Sequence, residues 1–280
     1  MTQPYRVASW GAGTQSTDMI VRSALGETEK LDAVIFSDAQ FERRFTYEII
    51  EFYTRFFTQR NIPVYIPTAG SVEYEGADKH IHIPFFTRKT PKGWDGEWIN
   101  PADTIIGGPL MRECTRHFKI RPIRRKTREI LGLPPSTPPA PPAGAVEQWL
   151  GISWDESERV SKSPIQYVNH RYPLIEGRIT REDCIEHLRR LGLPIPIKSA
   201  CIVCPYRSAS EWLEMQREAP DEFERAVAFD EKHRYNKIGG VKAAALYVYK
   251  HAVPLAEADF EKDARRERGR DICESGYCWT

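Results

Sequence analysis

Along the first third of the chain the period of the hydrophobic positions changes repeatedly. Residues 6–10 (RVASW) read as a short strand, 16–25 as a helix ended by Gly26, and 31–37 (LDAVIFS) as a continuous apolar run. Such a run suits a strand buried on both faces. Over 46–60, Ile49, Phe52, Tyr53, Phe56 and Phe57 share one helical face, and 63–66 reads as a third short strand. Strand, helix, strand, helix, strand in this order predicts two right-handed crossovers and a parallel sheet.

From 70 to 107 the pattern dissolves into Gly, Pro, Trp and charge, as in a surface insertion on a core spanning 1–133. Within LPPSTPPAPPAGA, residues 134–145 read as a linker, because paired prolines fit neither a helix interior nor a central strand. The remainder, 146–280, opens with a fourth strand over 146–152. A helix over 180–191 starts with Thr180 and Asp183 in capping-box spacing and ends at Gly192. Ser208 and Glu211 repeat that box at the head of a helix over 208–217.

The 280 residues suffice for a large core, and 40 basic against 39 acidic side chains leave a net charge of +1. Any grip on a polyanion must therefore come from a local patch. The start MTQPYRVASW has no secretory pattern, and no apolar run approaches the ~20 residues of a membrane span, so no membrane and a cytoplasmic location are expected. Six cysteines in that setting point to metal, cluster or redox chemistry rather than to a disulfide scaffold.

The candidate chemistry begins between the first strand and helix, at Ser9, Gly11, Ala12, Gly13, Thr14, Gln15 and Ser16. Glycines let a backbone approach a phosphate, and a helix N-terminus offers unpaired amides and a favourable dipole. The loop completes neither GxGxxG nor GxxxxGK[ST], and a plain tight turn is the alternative. Asp38, at the end of the second strand, is placed either for acid–base work at a ligand or to cap the next helix. Asp155, Glu156 and Arg159 either contact substrate or pair at the surface.

Cys201 and Cys204 form a CxxC, which suits a metal centre, a redox dithiol or a local turn. Cys184 shares the apolar face of its helix and reads as a packed thiol. Cys273 and Cys278 fall beyond the charged run 261–271, on a frayed end or on a tail that delivers a nucleophile. Residues 112–128 hold eight Lys or Arg and a single acid, Glu113, either as a solvated face or as a grip on phosphates.

Several of these stretches resemble the PAPS reductase-like branch of the adenine nucleotide alpha-hydrolase superfamily. GAGTQS (11–16) is similar to its SGGxDS loop, with Gly11 at the first serine, for which Ser9 substitutes from upstream, and Gln15 at the aspartate. FSDAQFE (36–42), RECTRHFKIRPI (112–123), GISWDESER (151–159), SACIVCPYRS (199–208) and the tail CESGYCWT resemble further elements of that branch in chain order. Where the branch has a tandem cysteine, this chain has Cys114 followed by Thr115.

The resemblance implies an α/β fold, a Rossmann-like parallel sheet with helices on both faces, plus a smaller cysteine-bearing, mainly helical C-terminal part. It implies ATP and Mg²⁺ at the loop, with phosphate or substrate contacts from Arg116, Lys119, Arg121 and Arg159. Cys114, Cys201 and Cys204 would hold a [4Fe-4S] cluster with one open iron, or Zn²⁺ with His117 or another cysteine as the fourth ligand. Asp38 and Cys278 are the catalytic candidates. The expected activity is adenylation of a substrate oxygen and its replacement by sulfur. The expected partners are an adenine nucleotide, a sulfur donor, an RNA or DNA substrate and a second copy of the chain. Two alternatives stay open. One is a sulfonucleotide reductase in which Cys278 attacks sulfur; the other is a zinc-containing nucleic-acid-binding protein with a degenerate nucleotide fold.

Overall fold

The computed structural model describes residues 3–75, 83–89, 104–135, 138–235 and 245–267. Cys273 and Cys278 lie outside the described residues.

The first strand, β1 (Tyr5–Trp10), runs into α1 (Thr14–Ala24), β2 (Ala33–Phe36), α2 (Arg44–Thr58) and β3 (Val64–Tyr65). A short helix α3 (Val72–Glu75) and strands β4 (Phe86–Lys89) and β5 (Ile105–Pro109) follow. A π-helical stretch Thr115–Ile120 then continues directly into α4 (Arg121–Ile130). After the proline-rich segment come β6 (Val146–Leu150), a 3₁₀ segment Trp154–Arg159, β7 (Val168–Arg171), α5 (Pro173–Glu176) and α6 (Arg181–Arg190). The chain continues through α7 (Ala209–Glu218), α8 (Pro220–His233), β8 (Ala245–Tyr247) and α9 (Phe260–Glu267).

Five strands form a parallel sheet in the order β3-β2-β1-β6-β7. β2 (AVIF) is buried at every position, as its unbroken apolar run requires. Alternate residues feed two cores. Ala8, Trp10, Val34, Phe36 and Trp149 pack under α1, α2, α5 and α6, while Val7, Ala33, Ile35 and Val146 pack under α4. Helices thus cover both faces of a Rossmann-like α/β sheet. On α2 the buried positions are Thr46, Ile49, Ile50, Tyr53 and Phe57, and Phe52 remains 40% exposed. The apolar stripe therefore lies about one residue to the side of the face expected from the aromatic residues.

The second lobe is built around α7, α8 and α9, whose Trp212, Met215, Phe223, Phe229 and Phe260 share one core with Phe41, Phe85 and Phe118. It also holds a three-stranded sheet, β5-β4-β8, paired antiparallel. The stretch 70–107 thus contributes β4 and part of β5, where the sequence shows no strand period. β4 is held by pairing with β8, more than 150 residues away by number, and β5 by pairing with β4, rather than by local alternation. Buried Asp230 ties this lobe together by accepting the N–H groups of Val248 (2.8 Å) and Leu255 (3.2 Å) and by pairing with Arg234. Both expected capping boxes, Thr180 with Asp183 and Ser208 with Glu211, are formed.

Candidate nucleotide site

The chain leaves β1 toward β2 on one side, and β6 later fills the other side, so the sheet has its switch point between β1 and β6. Ligands of open parallel sheets bind at this point, beyond the strands' carboxyl ends. A cleft of about 630 Å³ opens there, bordered by Ser9 of β1, the loop, Gln148 and Leu150 of β6, and Gly151.

The base of the loop is rigid. Trp10, at the end of β1, donates its indole N–H to Thr17 Oγ1 at 2.9 Å and meets Phe36 and Phe57 edge-on. Ala12 takes a left-handed φ of 55°, a strained choice for a residue with a side chain, and its methyl is buried rather than in the cleft. Ser16 closes the loop: its Oγ accepts from Gly11 N at 3.3 Å and donates to Gly13 O at 3.2 Å. The Thr14 hydroxyl donates to Pro196 O at 2.6 Å, so Thr14 meets a ligand through its backbone.

At Gly13 the geometry is open. It is the N-cap residue of α1, has extended backbone and no side chain to cap the helix, so the amides of the first turn lack an intrahelical partner. A Cβ at Gly13 would meet nothing within 4 Å. The space and the donors together form an anion cradle. Ser9, at its edge, accepts from Gln148 Nε2 at 2.5 Å.

Gln15 faces a short chain of charges. Its amide donates to Glu156 Oε2 at 3.1 Å and to Ser153 at 3.4 Å, while Arg159 pairs with Glu156 at 2.8 Å. Burial pushes the Glu156 carboxyl upward against the pull of Arg159. The chain thus anchors Arg159, one of the expected contacts, at the cleft wall beside the loop. On the opposite rim Lys198 pairs with Glu211 at 3.2 Å, next to the capping box of α7. Burial acts to raise the Glu211 carboxyl, but Lys198, the Ser208 N–H and Arg207 hold it below the ordinary range. Apolar side chains line another part of the cleft, among them Ile123, Ile165, Tyr167 and Val168.

The other expected residues fall elsewhere. Asp38 accepts from Gln40 N at 2.7 Å and from Tyr47 OH at 3.1 Å, so it closes the turn before α2 and stands outside the cleft lining. Lys119 pairs with the buried carboxylate of Glu42 at 3.5 Å. Arg116 and Arg121 are exposed on the helix that follows Cys114, and Arg124 is the arginine of that helix that borders the cleft. Arg124 of the basic run and Gly151 of the GISWDESER stretch line the cleft, as do Gln148 and Lys198, which the sequence did not single out. A polar Gln148 inside a buried strand and a glycine directly after it were the signals available.

The three resembling stretches around Cys114, Cys201 and Glu42 do meet. Glu42 forms an isolated bridge with Cys201, Ile202 N donates to Phe41 O at 2.8 Å, and Lys119 reaches Glu42. Burial raises the Cys114 thiol, with Lys119 and Arg112 acting against it. Cys114, Cys201 and Cys204 are free thiols, yet among the described residues no three His, Cys, Asp or Glu side chains are arranged to hold a metal ion. Cys184 is fully buried, as its helical face predicts.

No helix among the described residues is long and apolar enough to cross a membrane. No family model matches the chain, and no curated protein matches it in sequence. Among solved structures it is similar to phosphoadenylyl-sulfate (PAPS) reductase from Candida auris in its phosphate complex. The identity is 14% over 70% of this chain and 76% of that one, with a TM-score of 0.41.

Proposed function

We propose that the chain is a nucleotide-dependent enzyme that binds ATP in this cleft and transfers its adenylyl group to a substrate oxygen. The observation that carries the reading is the open, amide-lined space at Gly13 within a cleft at the switch point of the sheet. The triphosphate lies against the first turn of α1, with Arg159 at its side. The apolar wall at Ile123, Ile165 and Val168 takes the base.

In the reaction a substrate oxygen attacks the α-phosphorus. The new P–O bond forms as the bond to the bridging oxygen breaks, and pyrophosphate departs with both electrons. Amides already aimed at the β- and γ-phosphates stabilise the charge that builds on this leaving group. A sulfur nucleophile then adds to the activated carbon, and AMP leaves with the oxygen. Magnesium would supply a Lewis acid for the phosphate oxygens. Glu156 and Glu211 are the carboxylates in the cleft lining that would hold such an ion.

Replacing Gly13 by valine tests the cradle. Its backbone is extended and its surroundings are empty, so the fold accepts a side chain there. Thermal unfolding is expected to stay within a degree or two, while ATP affinity in calorimetry falls by about a hundredfold through overlap with the phosphates. Pyrophosphate release from ATP falls with it. Undiminished affinity in a folded G13V protein rejects the cradle.

A further inference from the structure

The eight basic residues of 112–128 divide into two sets once their partners are known. Four are engaged within the protein. Arg112 lies against the Tyr206 ring at 5.5 Å, Lys119 pairs with Glu42, Lys126 pairs with Glu129 at 2.7 Å, and Arg128 donates to the carbonyls of Pro134 and Pro139. The other four, Arg116, Arg121, Arg124 and Arg125, are exposed, and no ion pair joins any of them to a carboxylate among the described residues.

These four stand on one continuous helix, the π-helical stretch Thr115–Ile120 running into α4. Partial desolvation of its inner part lowers Arg124, Tyr167 acts against this, and the positive charges of Arg116 and Arg121 lower it further, so the three guanidinium groups face one another's field. Arg116 also sits in the helix's first turn, where the dipole disfavours cations. The acids at helical spacing, Glu113 and Glu129, pair with none of the four, and the row leads like charges to the cleft, which Arg124 borders.

We infer that this arginine row binds the phosphate backbone of a single-stranded nucleic acid and directs one of its nucleotides into the cleft. The inference rests on the adenylation reading, for which it names the class of acceptor. From Arg116 to Arg125 the helix rises roughly 12 Å, so the guanidinium groups are spread along a line rather than gathered at one phosphate. A strand offers successive phosphates to such a line of donors. Chemistry on a base requires it unstacked, which a single strand supplies without opening a duplex. Exposed guanidinium groups that no described carboxylate pairs with suit phosphates as bidentate donors.

The test uses the full chain and short fluorescein-labelled single strands of RNA and of DNA, followed by anisotropy across a salt series. Wild-type protein is expected to bind at least one of them. The triple variant Arg116→Ala, Arg121→Ala, Arg125→Ala loses about tenfold or more in affinity, and its log–log salt slope falls by about 2, near 0.7 per lost contact. The corresponding triple lysine variant keeps the slope, which separates charge from misfolding. Binding of RNA alone or of DNA alone assigns the strand type, and either result supports the inference. No binding by wild type at low salt, an unchanged slope in the alanine variant, or equal affinity for a duplex overturns it. ATP affinity, read in parallel, is expected to be the same in all three proteins. If the strand binds through the row while no protein binds ATP, the adenylation reading fails and the arginine row stands.

Discussion

Replacing Gly151 by alanine is expected to weaken ATP binding by about ten- to hundredfold and to lower thermal stability as well. At this glycine the end of β6 passes against the first turn of α1. An added Cβ would lie 2.4 Å from Ser16 Cα, 2.6 Å from Ser16 N and 2.8 Å from Ser16 Cβ. Two of these atoms are backbone, so no side-chain rotation relieves the clash; either the loop or the strand end must move. Overpacking of this kind costs about 1–3 kcal/mol, and about 1.4 kcal/mol is tenfold in affinity. Because Ser16 also holds Gly11 and Gly13, the displacement passes directly into the cradle. The contrast with G13V is diagnostic: that change meets only the ligand, whereas G151A moves the protein. Calorimetric ATP affinity and circular-dichroism melting of both variants check it. If G151A bound ATP like wild type, the strand end and the loop would be mechanically independent and the cleft would lack its floor.

Replacing Asp18 by alanine is expected to cost the largest stability, about 3–5 kcal/mol, because it removes the buried carboxylate that accepts from Arg22 and holds His187 Nδ1, leaving those buried polar groups without this partner. Asp18 is fully buried on α1 and holds His187 Nδ1 at 2.5 Å and Arg22 Nε at 2.7 Å, while His187 Nε2 meets Glu27 at 3.1 Å. This group joins α1 to α6 just behind the cradle. For a domain of this size the melting midpoint falls by about 10 °C. The same anion adds to burial in raising the Tyr53 hydroxyl and the Cys184 thiol. Both groups stay neutral in the folded chain beyond the pH at which the unfolded chain loses those protons. Their contribution to stability is therefore complete below about pH 8.5 and is lost as pH rises through the alkaline range. Wild type is expected to lose stability there more steeply than D18A. Melting curves from neutral to alkaline pH check both points, and a D18A midpoint within about two degrees of wild type would show that the cluster contributes nothing.

Much of the architecture is legible in short stretches. The buried run around β2, the strand–glycine–helix transition at 9–16 and the two capping boxes are local, since each depends on atoms a few residues apart. The same locality placed the loop, although α1 starts at Thr14, two residues before the expected start, so that Gly13 rather than Gln15 precedes its first turn. The stripe on α2 was legible only to within a residue, because aromatic side chains reach sideways and Phe52 could be left exposed.

What surrounds the cradle belongs to the tertiary structure. Glu156 reaches Gln15 across 141 residues, and β6 meets β1 only after the proline-rich segment has carried the chain back over the sheet. Asp38 has the right place on its strand for a ligand, yet Tyr47 and Gln40 occupy it. The basic run 112–128 looks uniform in sequence, and only the positions of Glu42, Glu129, Tyr206 and the proline carbonyls separate the engaged residues from the exposed row. The physical reason is the same in each case. Period and capping are set by bonds along the chain, whereas a side chain's partner is set by which distant segment the sheet register brings within a few ångströms, and that register is a property of the whole packed core.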